Sequence, residues 1–166
     1  ERANQSALEK TWSDLPRAVR KLPQSIVTYA RAAMACKDHP SAERALRELI
    51  DDTSDAAAIR LYGELVLPDP LVPLERAEGW LRKRPDDPDR LSTCARLCLR
   101  AELFGKARSY LEASLARKPN AESSLLLAEL LEQMGEHEVA SGWLRQAAGQ
   151  AVGRRLNVPR VRLRRL

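Results

Sequence analysis

Few of the residues that build catalytic or cofactor sites occur in this chain. There are only seven glycines, three cysteines and two histidines among 166 residues. No glycine-rich phosphate loop, His-Glu-x-x-His pair or nucleophile elbow is present, so the chain reads as non-enzymatic. Cys36, Cys94 and Cys98 are too few and odd in number for a disulfide scaffold. A Cys-x-x-Cys-His haem attachment is also missing. Val and Ile total 11 and the aromatics 7, which argues against a sandwich or barrel. No apolar run approaches the roughly 18 to 20 residues of a membrane span, and no signal-peptide pattern is seen. The chain starts at Glu1 without a Met, from which an excised fragment is expected.

What is abundant is Leu (26) and Ala (24), both strong helix formers, and the expected class is all-α. The formal charge of +5 is unevenly placed. Arg154, Arg155, Arg160, Arg162, Arg164 and Arg165 fall in the last fourteen residues with no acid among them. The rest of the chain is nearly balanced. Residues 1–150 are therefore expected to fold, with 151–166 a basic tail. A disordered end is the first reading of that tail and contact with anionic lipid headgroups the second. Nucleic acid is not expected, because the tail has no aromatic to stack bases and the body no basic stripe.

The small residues repeat. Ala30, Gly63, Ala95 and Ala128 are separated by 33, 32 and 33 positions. Ala42, Ala107 and Ala140 follow three of them by twelve, and Ala77 follows Gly63 by fourteen. Four residues beyond each stands Leu46, Leu81, Leu111 or Leu144. Small residues let two antiparallel helices cross closely, and the Leu fills the space to the next pair. A hairpin of this kind cannot bury both faces alone, so hairpins stack. The period is that of tetratricopeptide (TPR) repeats, and the Thr-Pro-Leu-His turn of ankyrin repeats is absent. The expected architecture is a right-handed α-solenoid of four units starting near 23, 56, 88 and 121. The helices are placed at 25–36 and 41–49, 56–67 and 74–83, 89–100 and 106–117, and 123–134 and 138–148. A further helix is expected over 3–11, with Asp14 capping the next and Pro16 in its first turn. Gly135 is expected to stop a helix. The segment 68–73 holds three prolines and is expected to be a loop. Trp80, Tyr110 and Trp143 share one repeat position, and packing between hairpins is the simplest role for them.

The ordered set Trp12-x-x-Leu15-Pro16, Tyr29-Ala30, Leu61-Tyr62-Gly63 and Ala77-Glu78-Gly79-Trp80-Leu81, continued by Phe104 to Leu115, resembles the C-terminal TPR region of HemY-type proteins. The resemblance covers about residues 11–148. It implies a role in haem biosynthesis through partner proteins or porphyrin handling, without an established catalytic activity. It also implies an inner-membrane anchor upstream, with this domain on the cytoplasmic side.

A TPR array binds along the concave face lined by its first helices. Helical phase places Arg31, Glu64, Arg96 and Glu129 there, alternating in sign, with Arg60 and Arg100 nearby. An inter-repeat ion ladder is one reading. A groove for a charged peptide, helix or porphyrin carboxylate is the other, since arginine receives carboxylates bidentately. Haem-pathway enzymes are the implied partners. For a chain that handles haem or porphyrin directly, Met34, Cys36, His39, Cys94, Cys98 and His137 are the candidate ligands. Cys94 and Cys98 share a helix face, yet a closed zinc site needs two more ligands. They read better as small buried hydrophobes, and both histidines as solvated turn residues.

Overall fold

The computed structural model describes residues 2–156. Its helices are α1 (Arg2–Asp14), α2 (Arg17–Arg20), α3 (Pro23–Ala35), α4 (His39–Thr53), α5 (Ala56–Tyr62), α6 (Leu71–Lys83), α7 (Pro88–Arg100), α8 (Phe104–Arg117), α9 (Ala121–Gln133) and α10 (His137–Leu156). No strand occurs among the described residues. First helices α3, α5, α7 and α9 alternate with second helices α4, α6, α8 and α10, and each second helix from α4 to α8 also packs on the first helix of the next unit. Helix α10 runs into the segment expected to be a tail, and residues 157–166 of that tail lie outside the described residues.

The starts of the first helices have a local cause. Asp55, Asp87 and Asn120 hold one repeat position, and each side chain accepts a backbone N–H of the first turn. That satisfies donors a helix start leaves unpaired. In the first unit the same position is Leu22, which cannot do this, and Pro23 at the first helical position removes one donor instead. Asp14 does not act as the expected cap. It ends α1, and the short α2 starts from Pro16 without a side-chain bond.

The stops repeat as well. Lys37, Glu102 and Gly135, each seven residues past the small residue of its unit, take positive φ of 65°, 56° and 82°. The next N–H reaches back to the helix: Asp38 to Ala33, Leu103 to Cys98 and Glu136 to Leu131, all at 2.9 Å. This Schellman closure turns the chain into the second helix. Glycine fills the position once, so two units hold an L-residue in a region that favours glycine. In the second unit the position is Pro70, whose φ is fixed negative. There α5 stops at Tyr62, five residues short of the expected end.

The small residues are buried as the packing argument requires. Ala30, Ala42, Ala95, Ala107, Ala128 and Ala140 are inaccessible to solvent. The expected Gly63–Ala77 crossing is different. A Cβ at Gly63 would lie 3.1 Å from Arg96 Cδ and 3.3 Å from Thr93 Cα, so Gly63 serves the approach of α5 to α7. Helices α5 and α6 meet through the Tyr62 and Trp80 rings, edge to face at 4.7 Å.

Candidate functional site

The first helices line a concave cleft of about 400 Å³ that crosses all four units. Arg31 enters from α3, Arg60 and Glu64 from α5 and its end, Asp89 and Arg96 from α7, and Glu122 from α9. Lys118 and Asn120 close it at the turn before α9. Ser92 and Ser123 hydroxyls meet on its wall at 3.2 Å. Four of the six residues singled out from the sequence thus share one cleft. Glu129 is exposed and does not line it. Arg100 is spent elsewhere: its guanidinium donates to the Gly63 carbonyl at 2.6 Å and to that of Glu64 at 3.2 Å. Burial, with Arg96 next to it, lowers its pKa. Arg100 therefore closes the end of α5.

The expected ladder of Arg31, Glu64, Arg96 and Glu129 does not form among the described residues. Arg60 pairs with Asp89 at 3.0 Å, and Arg96 pairs with Glu122. Asp89 and Glu122 occupy one repeat position in the first turn of α7 and α9, where a negative charge also suits the helix dipole. In α5 that position is Ala57. Arg31 is the repeat equivalent of Arg96 and finds no acidic partner among the described residues. It is exposed on the cleft wall, as is Lys118. Sequence reasoning put Arg31, Arg60, Arg96 and Arg100 at the groove, and the first three line this cleft. It missed the acids, although their spacing of 33 was there to be read.

Further inter-unit ion pairs run along the second helices. Glu43 of α4 pairs with Arg76 of α6, Glu78 of α6 with Lys106 of α8 at 2.5 Å, and Arg108 of α8 with Glu136 at 2.6 Å. Glu43 is nearly buried and also accepts the Tyr62 hydroxyl at 3.0 Å. Burial, with the Glu43 carboxylate beside it, raises the Tyr62 pKa well above its usual value. The shared aromatic position belongs to this seam. Trp80 Nε1 donates to Asp51 at 2.7 Å and Tyr110 Oη to Glu78 at 3.1 Å. Trp143 packs half-buried on the core.

The candidate ligands do not converge. Cys94 and Cys98 are fully buried, and burial pushes their thiols up to about 12 and about 11. His39 Nδ1 accepts the Val66 N–H at 3.2 Å, and burial followed by the Lys37 and Arg100 charges lowers its pKa. His137 is exposed at the start of α10. Among the described residues no cluster of three or more His, Cys, Asp or Glu side chains is placed to hold a metal ion.

With this geometry in place, solved structures give a clear match. A crystal structure of MamA superposes with a TM-score of 0.60 at 14% identity, over 90% of this chain and 87% of MamA. A double mutant of MamA from strain RS-1 gives 0.62 at 13% identity, over 92% and 87%. A MamA fragment (41-end) from Desulfovibrio magneticus RS-1 gives 0.60 at 11%, over 92% and 88%. The fold is a TPR-like α-solenoid. Identity at this level speaks for architecture alone. The chain matches no protein-family model and no curated protein sequence. No described helix is long and apolar enough to cross a membrane.

Proposed function

We propose that the chain is a non-catalytic repeat module that holds an acidic segment of a partner protein in its concave cleft. The observation that carries this reading is the broken pairing at Arg31. Arg60 and Arg96 each have an acid from the next unit. Arg31 faces Ala57, and Lys118 makes no ion pair among the described residues, so two cations are left for a ligand. Carboxylates of an acidic segment docking on them gain charge-assisted hydrogen bonds that Arg60 and Arg96 already make internally. Arg100 supports the cleft from behind and is not part of the recognition surface. Residues 1–150 form the module in this reading, and the arginines of 151–166 add a contact to anionic lipid. The resemblance to HemY-type proteins supplies the setting: partners among haem-pathway enzymes, beside the inner membrane on its cytoplasmic side.

The test is calorimetric titration of the chain with a hexaglutamate peptide as probe. Saturable binding that falls at least tenfold in Arg31→Glu and is unchanged in Arg145→Glu, which lies outside the cleft, supports the proposal. Equal affinity of wild type and the Arg31→Glu, Lys118→Glu double variant removes it. A haemin titration addresses the alternative of direct porphyrin handling. A sharp Soret shift lost on substitution of one His or Cys favours that reading over scaffolding.

A further inference from the structure

A second site, independent of the concave cleft, lies on the face made by the second helices. Between α4 and α6 a pocket of about 570 Å³ is lined by Arg47, Asp51, Arg76, Gly79, Arg82 and Lys83, with Trp80 beside them. Four cations there meet one acid. Asp51 is already engaged, because it accepts the Trp80 Nε1–H at 2.7 Å. Glu43 is shared: it accepts the Tyr62 hydroxyl, pairs with Arg76 and stands 3.8 Å from Arg47 Nε, too far for a hydrogen bond. Arg47 Nε is sealed from solvent and has no hydrogen-bond partner. Arg82 and Lys83 are exposed and make no ion pair among the described residues. With Glu43 counted, four cations against two acids leave two positive charges uncompensated.

The repeat register shows that this excess is local. Arg82, Asp86, Lys106, Glu112 and Ala113 hold the same positions between α6 and α8, and carry no net charge. Their charges are also used: Asp86 pairs with Arg117, Lys106 with Glu78 and Glu112 with Arg108. Between α8 and α10 the positions are Glu112, Ala116, Val139, Arg145 and Gln146, again neutral. Helices α4 and α6 lie inside the array, so neither end of the chain creates the pocket. Gly79 shapes its floor. A Cβ there would lie 3.5 Å from Arg82 Nη2, so this guanidinium lies along α6 beside the glycine.

We propose that this pocket binds a phosphate monoester. Such a group carries a charge of about −1.5 to −2 at neutral pH, which matches the two uncompensated charges. Arginine forks suit its oxygens, and Arg76 keeps donors beyond the one given to Glu43. Arg47, Arg76 and Arg82 supply the charge-assisted hydrogen bonds, and Lys83 adds a point charge at the rim. The site goes beyond the acidic-segment reading of the cleft and uses none of its residues.

The probe is glycerol 3-phosphate, titrated into the intact chain at constant ionic strength. The Trp80 indole N–H resonance in nitrogen–proton correlation spectra is the readout. A saturable shift is expected, with affinity at least tenfold weaker in Arg82→Ala and unchanged in Arg31→Glu of the concave cleft. Dimethyl phosphate, a monoanion, should bind at least tenfold more weakly than the monoester. Absence of a saturable shift overturns the proposal. So does equal affinity for the two probes, or an Arg82→Ala variant that binds normally. Vesicles of phosphatidylcholine and phosphatidic acid distinguish the sources of the ester. Flotation of the wild type that is lost in Arg82→Ala assigns a lipid headgroup, and glycerol 3-phosphate binding without such flotation assigns a soluble ester. Because Arg31→Glu acts on the cleft alone, either site can fail without the other.

Discussion

The third hairpin, α7 with α8, and the fourth, α9 with α10, are built to one plan and live in different surroundings. Ala95 crosses Ala107 in one and Ala128 crosses Ala140 in the other, and all four are inaccessible. Outside that crossing they diverge. Leu111 is 0% exposed, whereas Leu144 at the same position is 39% exposed. Tyr110 finds Glu78 on the preceding unit, while Val139 and Met134 of the fourth hairpin stand nearly half exposed. The crossing is thus a property of the hairpin, and the filler is a property of the stack. The leucine at this second-helix position is buried where a further unit packs on it, as expected when repeats contact neighbours alone.

Substitutions in closed and in open surroundings can break or sharpen this contrast. The largest difference is expected at the filler. Leu111→Ala should cost about 3 kcal/mol, the range for a cavity in a closed core, and Leu144→Ala less than about 1. Urea denaturation of the two variants reads this directly, and equal losses would remove the contrast. Glycines come next. Gly63→Val puts atoms where Arg96 and Thr93 already are, and a loss of about 1 to 3 kcal/mol is expected. Gly142 sits in α10 with nothing within 4 Å of a built Cβ, so Gly142→Ala should raise stability by about 0.5 to 1 kcal/mol. Thermal melts of the pair should move in opposite directions.

A smaller effect is expected at the inter-unit hydroxyl. Thr93→Val keeps the shape and loses the hydroxyl's bond to the Ile59 carbonyl, at a cost of about 1 kcal/mol, whereas Thr28→Val, at an exposed position, should be near neutral. Finally, the thiols give a pH dependence. Burial raises Cys94 and Cys98 above the ordinary 9.0 for a thiol, so the folded state holds these protons more tightly than the unfolded chain. Their contribution is complete below pH 9 and is lost as pH rises through about 11 to 12. Stability of the wild type should therefore decline above pH 9, and less steeply in a Cys94→Ala, Cys98→Ala variant. In the native state at neutral pH, a thiol reagent should reach Cys36 first, since it is only half-buried.

How much of this was legible in the sequence depends on the range of the interaction. The small-residue spacing located the crossings, because two close backbones demand small side chains in any context. Gly135 announced its own turn. Lys37 and Glu102 make the same turn without glycine, and nothing in their residue type signals it. The caps at Asp55, Asp87 and Asn120 were readable and overlooked, having a spacing as regular as that of the alanines. Gly63 was assigned to its own hairpin, when the short α5 turns it toward α7. Helical phase put four of the six chosen residues in one cleft, but it gave none of their ion pairs. Phase tells which residues share a face and is silent on which of two acids a flexible arginine selects.

The way α5 and α6 are held has a consequence for how the chain folds. The other three hairpins close on themselves, whereas these two helices meet through Tyr62 and Trp80 and are otherwise clasped by α4 and α7. In nearest-neighbour terms the second unit has a weak intrinsic energy and strong coupling on both sides. Such a unit makes a poor nucleus and a good bridge. Folding should start in the flanking hairpins and cross the second unit last. Amides of α4 and α7 should then exchange with one shared opening energy, and the array should melt as one block.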